Sequence, residues 1–244
     1  MARFAETKFD LVHYDHLLLD MNGTFVFDFD RFGPKQDFGA TYAALGYRSL
    51  ERAEAHQRVR WAYDYMAMRY ADEAYYDKFP SVAEALAQTS PEALTTEVAD
   101  ELVATFAAHE LGTLQPSYQV ALKNLSDRKP LSVLSNLWSP KARWLEQFVQ
   151  WGISGYFHRL HFSSDGPEIK PHPTLFDRAL QPIRQENPAA RVLYVGDSYR
   201  CDVLGAVAAG IDVVWLSTED SANHQGQPVA KFADLLEFEK ATRS

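Results

Sequence analysis

Apolar and polar positions change rhythm along this chain. The stretch 16–19 is short and apolar, ends at Asp20, and is followed by Asn22-Gly23, a strong turn signal. Phe25, Phe27 and Phe29 then alternate with Val26, Asp28 and Asp30, which predicts a short strand or hairpin arm before Gly33-Pro34 breaks the chain. From about Pro34 to Gly112 the period is helical. Ser49 is placed to cap a long helix over 50–71, with Val59, Tyr63, Met66 and Tyr70 at spacings of three and four on one face. Ser81 and Glu84 form a capping box for another helix. Ser90-Pro91 opens a third, with Gly112 as a stop.

After Pro116 strands and helices alternate. Strands are predicted over 131–134, ending at Ser135-Asn136, over 159–162, over 192–195, ending at Gly196-Asp197, and over 211–216. Helices are predicted over 139–152, 173–184, 202–209 and 231–239. Short apolar strands alternating with helices imply an α/β fold: a Rossmann-like parallel sheet core with helices on both faces. That core, 1–30 and 113–244, is interrupted after its first strand by a mostly α-helical cap domain over 31–112.

Composition narrows the possibilities. Of 244 residues, 46% are apolar, ample for a packed core, which excludes intrinsic disorder. A net charge of −9 argues against a phosphate-backbone binder, so no nucleic-acid partner is expected. One cysteine, Cys201, excludes an internal disulfide and cysteine-rich zinc sites, and fits a reducing cytoplasm. No run approaches the length of a membrane span, and Arg3, Glu6, Lys8 and Asp10 stand where a signal peptide needs an apolar stretch. A cytoplasmic protein with no membrane partner is the expectation. Residues 28–112 hold 15 acidic and 8 basic side chains, so the insert is acidic and offers few anion ligands, Arg31, Arg48 and Arg52 among them.

Ligands of open parallel sheets bind beyond the carboxyl ends of the strands. Asp20, Ser135-Asn136 and Gly196-Asp197 stand there, with Lys170 in a loop and Asp202 five residues beyond Asp197. Singly, each has an ordinary capping or turn role. Their joint order is far less common. Leu17-Leu-Leu-Asp20-Met-Asn22-Gly-Thr24, Ser132-Val-Leu-Ser135-Asn136, Lys170-Pro171 and Val195-Gly-Asp197-Ser-Tyr-Arg-Cys-Asp202 together resemble the four motifs of the haloacid dehalogenase-like hydrolase superfamily.

The resemblance implies a hydrolase, most directly a phosphatase acting on a small phosphorylated metabolite. Asp20 would be the nucleophile, forming an aspartyl-phosphate. Ser135, Asn136, Lys170 and Thr24 would make up the phosphate site, Lys170 offsetting developing negative charge and Thr24 fixing the nucleophile loop. Asp20, the backbone carbonyl of Asn22 and Asp197 would bind Mg2+, with Asp202 joining through water or orienting Lys170. The insert, lying between the first and second motifs, would be a cap that excludes water and sets substrate choice. Of its aromatics Trp61, Tyr63, Tyr65, Tyr70, Tyr75 and Tyr76, most would form the cap's own core and one or two would line the pocket.

One position departs from the family pattern. Phosphatases of this superfamily usually carry an acid–base Asp two residues after the nucleophile, and here Asn22 stands in its place. An amide is neither acid nor base at neutral pH, and losing such a group costs on the order of 10²–10⁴ in rate. Three readings stay open: hydrolysis of substrates with good leaving groups, such as acyl phosphates, or with a proton from another residue (His13, His16, His158, His161 and His172 being nominal sources); a slow or non-catalytic relative that binds phosphorylated ligands; and a dehalogenase or C–P bond hydrolase, against which Asp197 argues by pointing to a metal.

Overall fold

The computed structural model describes residues 8–219 and 227–243. Six strands, β1 (His16–Leu19), β2 (Leu131–Ser135), β3 (Phe157–Phe162), β4 (Val192–Gly196), β5 (Asp212–Leu216) and β6 (Ala230–Phe232), form one parallel sheet in the order β3-β2-β1-β4-β5-β6. Every residue of β1, β2 and β4 is buried, as central strands covered on both faces must be. The order is that of a Rossmann-like sheet, whose crevice opens where the chain reverses its direction of spread, between β1 and β4.

Strand alternation sorts the core into two layers. Leu17, Leu19, Val133 and Val195 face α5 (Pro116–Ser126), α6 (Ala142–Gln150) and α9 (Leu235–Ala241). Leu18, Leu134, Tyr194 and Val213 face α7 (Pro173–Glu186) and α8 (Leu204–Ala208). A third cluster stands apart, built by α1 (Phe38–Ala44), α2 (Arg52–Tyr70), α3 (Val82–Thr89) and α4 (Thr96–Glu110) around Phe38, Tyr42, Val59, Met66, Leu102 and Phe106.

The connections between this helical lobe and the sheet run side by side. Phe27 N–H donates to Thr113 O at 2.9 Å and Thr113 N–H returns to Phe27 O at 2.6 Å. Asp30 N–H donates to Glu110 O at 3.3 Å and Arg31 N–H to His109 O at 2.9 Å. Of the two expectations for the alternating stretch 25–30, a strand or a hairpin arm, it forms no strand of its own and is bridged antiparallel to the returning connection at Thr113. Left-handed backbone at Asp28 (φ 55°) and Asp30 (φ 51°) interrupts its extension. The Arg31 guanidinium donates to Asp28 O, Ala108 O and Leu111 O at 3.1, 2.6 and 2.5 Å, satisfying carbonyls left open at the end of α4.

Several element boundaries differ from expectation, each for a local reason. Ser49 does not cap α2; its hydroxyl donates to Glu101 at 3.0 Å, and the helix starts at Arg52 after Glu51. The capping box of Ser81 and Glu84 is present. Ser90 ends α3 rather than opening α4, because its N–H closes back on Leu86 O, and Thr95 supplies the next cap by accepting from Val98 N–H at 3.3 Å. The helix expected from 202 is preceded by a wide π-type turn, Tyr199–Val203, capped by Ser198. The segment expected to be helical from 231 begins as β6, since Ala230–Phe232 find partners in Val214–Leu216; only Leu235–Ala241 is helical. Arg3 and Glu6 lie outside the described residues, among which no helix is long and apolar enough to cross a membrane.

His16 opens β1 with its ring buried, Nε2 2.9 Å from Ser132 Oγ. Burial, then the neighbouring His158, pushes its pKa down to about 4. The unfolded chain would take up that proton near the ordinary value of about 6.5, so stability is complete above about 6.5 and falls as pH drops toward 4, by on the order of 3 kcal/mol. Relative to His16→Gln, the native protein should lose stability of this order in urea unfolding as pH falls from 7 to 4; a difference that stays constant with pH would place the titration elsewhere.

Candidate active site

The end of β1 is built to aim a carboxylate. Asp20 N–H donates to Val195 O at 2.9 Å, extending the β1–β4 ladder one residue beyond the strand. The chain then turns tightly: Met21 O accepts from Thr24, Phe25 and Val26 N–H at 3.2, 3.0 and 3.0 Å. Gly23 has φ +83°, and a Cβ there would stand 2.3 Å from Asp197 Oδ2, so both backbone angle and space require glycine. Thr24 is buried, its hydroxyl 3.5 Å from Asp197 Oδ1, which sets it beside that carboxylate and away from the cavity wall.

Lys170 reaches this point from the loop before α7, and only 2% of its side chain is exposed. Its ammonium donates to Asp20 Oδ1 at 2.7 Å, Asp202 Oδ1 at 2.6 Å and the Tyr194 hydroxyl at 3.0 Å. Three donors thus meet three acceptors. Burial opposes the charge, but Asp20 and Asp202 outweigh it and hold the ammonium well above the ordinary lysine range. Asp202 is fully engaged: Oδ1 by Lys170 and Tyr194, Oδ2 by Ser198 N–H at 2.8 Å. Asn136 braces the lysine from the other side, accepting from Lys170 N–H at 2.8 Å and donating to Lys170 O and the Tyr70 hydroxyl at 3.2 and 2.9 Å.

Asp197 is the carboxylate without its own cation. Burial first, then Asp20 and Asp202, pushes it up to about 8. Oxygens of Asp20, Asp197 and Asp202 all lie within 4.8 Å of one another. Beside them Asn22 Oδ1 is buried with no hydrogen-bond partner. Converging hard oxygens with a deficit of positive charge are the donor set of a small divalent cation such as Mg2+, so the residues present fit one. Ser135 Oγ is likewise buried and unpartnered, 1% exposed at the end of β2, next to Asp20 and Lys170 on the same cavity wall. A hydroxyl donor left open beside an ammonium suits an anion.

These groups form one end of a cavity of about 380 Å³. The helical lobe and its connections form the other, through Phe29, Asp30, Tyr63, Tyr70 and Glu110, with Trp138 from the loop after β2. Tyr63 and Tyr70 are thus the insert aromatics that reach the cavity. Glu110 is buried and saturated: it accepts from Trp138 and Ser139 N–H at 2.6 and 3.0 Å, from the Ser139 hydroxyl and from the Trp144 indole at 3.5 Å. It fixes the loop just beyond Ser135-Asn136. Asp30, Glu110, Trp138 and Tyr194 are not marked out by the sequence. Phe29-Asp30 sat inside an alternating pattern, and the other three carried no motif.

Other candidates stay outside the cavity. None of His13, His16, His158, His161 and His172 lines it. Neither do Arg31, Arg48 and Arg52; Arg48 donates to Ala43 O and Tyr47 O, and Arg52 pairs with Asp37. Cys201 lines it but is buried, its thiol raised by burial and then Asp202, 3.7 Å from the Tyr70 hydroxyl. That suits packing better than nucleophilic chemistry.

Comparison with known proteins gives the family and the fold. A family model described as haloacid dehalogenase-like hydrolase matches residues 14–210. The chain is 27% identical over 221 residues to pyrimidine 5'-nucleotidase YjjG of Escherichia coli (strain K12), covering 88% of this chain and 89% of that protein. Among solved structures, a 2-haloacid dehalogenase from Pseudomonas syringae pv. Tomato DC3000 superposes with a TM-score of 0.64 at 19% identity, over 93% of this chain and 97% of that one. The HAD-hydrolase YfnB from Bacillus subtilis, bound to magnesium, does so with a TM-score of 0.57 at 17% identity, over 95% and 100%. At these identities the two structures speak for the fold.

The buried ammonium has a stability consequence. Lys170→Met should leave Asp20 and Asp202 without their counter-charge and cost about 3–5 kcal/mol in urea unfolding at pH 8. The loss should shrink at pH 5, as Asp202 and Asp197, both raised by burial and by neighbouring carboxylates, take up protons. A loss under about 1 kcal/mol at pH 8 would show that the lysine does not balance this cluster.

Proposed function

The chain belongs to the haloacid dehalogenase-like hydrolase family, and from that premise we propose a Mg2+-dependent phosphatase that acts on a small phosphorylated metabolite through Asp20. The observation that carries this reading is the pairing of a carboxylate aimed by β1 with an anion cradle on the same wall. Lys170 Nζ lies 2.7 Å from Asp20 Oδ1, and Ser135 Oγ faces the same space without a partner. The family relationship to a protein named as a 5'-nucleotidase supports a phosphate monoester over a haloacid.

In this account Asp20 Oδ attacks phosphorus in line, the P–O bond to the leaving group breaks with its electron pair on oxygen, and a phosphoryl–Asp20 intermediate forms. Water then attacks that phosphorus and returns the carboxylate. Lys170 and Ser135 hold the phosphoryl oxygens, and the backbone N–H of Asn136 is available beside them. Thr24 acts indirectly, by fixing Asp197. Asp20, Asp197 and the Asn22 carbonyl would hold Mg2+, which when bound supplies charge neutralisation for the phosphoryl group. Asp202, with both oxygens already engaged, positions Lys170. Residues 31–112 act as a cap that closes the cavity from water over the core of 1–30 and 113–244. A cytoplasmic location fits the buried, unpaired Cys201.

The amide at Asn22 cannot protonate a leaving alcohol, so turnover should depend steeply on the leaving group. Aryl and acyl phosphates should be hydrolysed well and simple alkyl phosphates poorly. Asn22→Asp should raise kcat on alkyl phosphates by on the order of 10²-fold while changing aryl phosphate turnover little. A variant with no gain on alkyl phosphates would mean that another group already supplies the proton.

Hydrolysis of an aryl phosphate should require Mg2+, stop on chelation and be abolished in Asp20→Asn. Activity that survives Asp20→Asn would overturn the nucleophile assignment. An inert native chain awakened by Asn22→Asp would favour a phosphate-ligand binder instead.

A further inference from the structure

The phosphoryl end accounts for about half the cavity lining, and the other half has its own chemistry. It is made of the Phe29, Tyr63, Tyr70 and Trp138 rings and one free carboxyl, Asp30. Tyr63 and Tyr70 flank Trp138 with ring centroids 5.6 and 5.4 Å away, a set of electron-rich surfaces that attracts positive charge. Glu110 is not available, since its oxygens are saturated by the loop after β2.

Asp30 is in the opposite position. Among the described residues no side chain donates to its carboxyl, and it keeps solvent access. Its main chain is fixed, with N–H on Glu110 O, C=O accepting from Phe32 N–H at 2.8 Å, and φ at 51°. Asp30 lines the cavity beside Glu110 on the connections of the helical lobe, and Asp197 lines it from the end of β4. Arg60 packs on the Tyr63 ring, 5.5 Å from its centroid, but is bonded to Phe32 O and Gly33 O, and Lys170 is the only basic residue among the described residues lining the cavity. A second phosphate or a carboxylate on the leaving group would find no partner there.

Resting on the phosphohydrolase reading, we propose that this chamber selects the leaving group: a flat apolar body that carries a nitrogen cation at its far end, paired with Asp30 between the aromatic rings. The cavity, near the small end of ligand sites at about 380 Å³, limits that body to one or two rings. The enzyme then favours amine-bearing phosphate esters and rejects esters with a second anion. Asp30 is a specificity-determining residue, remote from the reacting oxygens.

Three para-substituted phenyl phosphates test this, because their leaving groups need little protonation: 4-(aminomethyl)phenyl, 4-methylphenyl and 4-carboxyphenyl phosphate. The native enzyme should prefer the cationic ester over the methyl ester by about tenfold or more in kcat/KM, mainly through KM, as a charge-assisted contact implies. The carboxyl ester should rank last. Asp30→Asn, which keeps a side chain suited to left-handed backbone, should bring the cation-to-methyl ratio close to one. Asp30→Lys should place the carboxyl ester first, an inversion that misfolding cannot produce. Calorimetric binding of the same three esters to Asp20→Asn protein should follow the same ranking without turnover. Equal binding of all three, or a cation preference that survives Asp30→Asn, would overturn the proposal. The binding ranking without hydrolysis by the native chain would instead overturn only the phosphohydrolase reading.

Discussion

Everything near the ends of β1 and β4 is arranged around the problem of holding three carboxylates together out of water. Oxygens of Asp20, Asp197 and Asp202 lie within 4.8 Å of one another, and isolated charges at that spacing repel strongly where the dielectric is low. The Lys170 ammonium answers part of this by bonding two of them and the Tyr194 hydroxyl. Asp20 and Asp202 share that one positive charge, and the third, Asp197, has no cation of its own. That residue of uncompensated charge is what makes the site receptive to a divalent cation, and it explains why the surroundings are so constrained. Asn136 clamps the lysine backbone, Ser198 holds the far oxygen of Asp202, and Gly23 leaves Asp197 room to approach the loop after β1.

The helical lobe depends on that arrangement through few, specific links. Its two connections bond to each other across Phe27 and Thr113 and again across Asp30 and Glu110. Glu110 then reaches into the core and orders the loop that begins with Ser135-Asn136. One residue at the end of α4 therefore ties the position of the lobe to the shape of the anion cradle. The Tyr70 hydroxyl makes a second tie, accepting from Asn136. The lobe and the site share side chains, so the cavity between them has walls of two origins and two chemistries: polar and charged at the sheet, aromatic and acidic at the helices.

Much of this was legible in the sequence because strand ends are. Runs of buried residues at 16–19, 131–135 and 192–196 are mostly apolar, with His16 and Ser132 as buried exceptions, and Asp20, Ser135 and Asp197 stand at their carboxyl ends, where an open parallel sheet binds ligands. Lys170 was legible from its Lys-Pro setting, and Tyr63 and Tyr70 from their helical spacing. Tyr194 was not, because an aromatic inside a buried strand looks like any other core residue until its hydroxyl is seen to meet Lys170. Asp30 and Glu110 were illegible for another reason. They are 80 positions apart, and it is the paired connections that bring them to one cavity. Caps differ from expectation where two candidates compete, as at Ser90 and Thr95, since both residue types favour the role and tertiary context chooses.

The account stands on Asp20 as the atom that receives the phosphoryl group. The direct measurement is an acid quench during turnover of an aryl phosphate with Mg2+, followed by mass spectrometry of the peptide that spans the end of β1. The account predicts one added phosphoryl group on Asp20, labile to base and absent without substrate. Turnover with Asp20 unmodified at every quench time, and the phosphoryl group found on another residue, would contradict it.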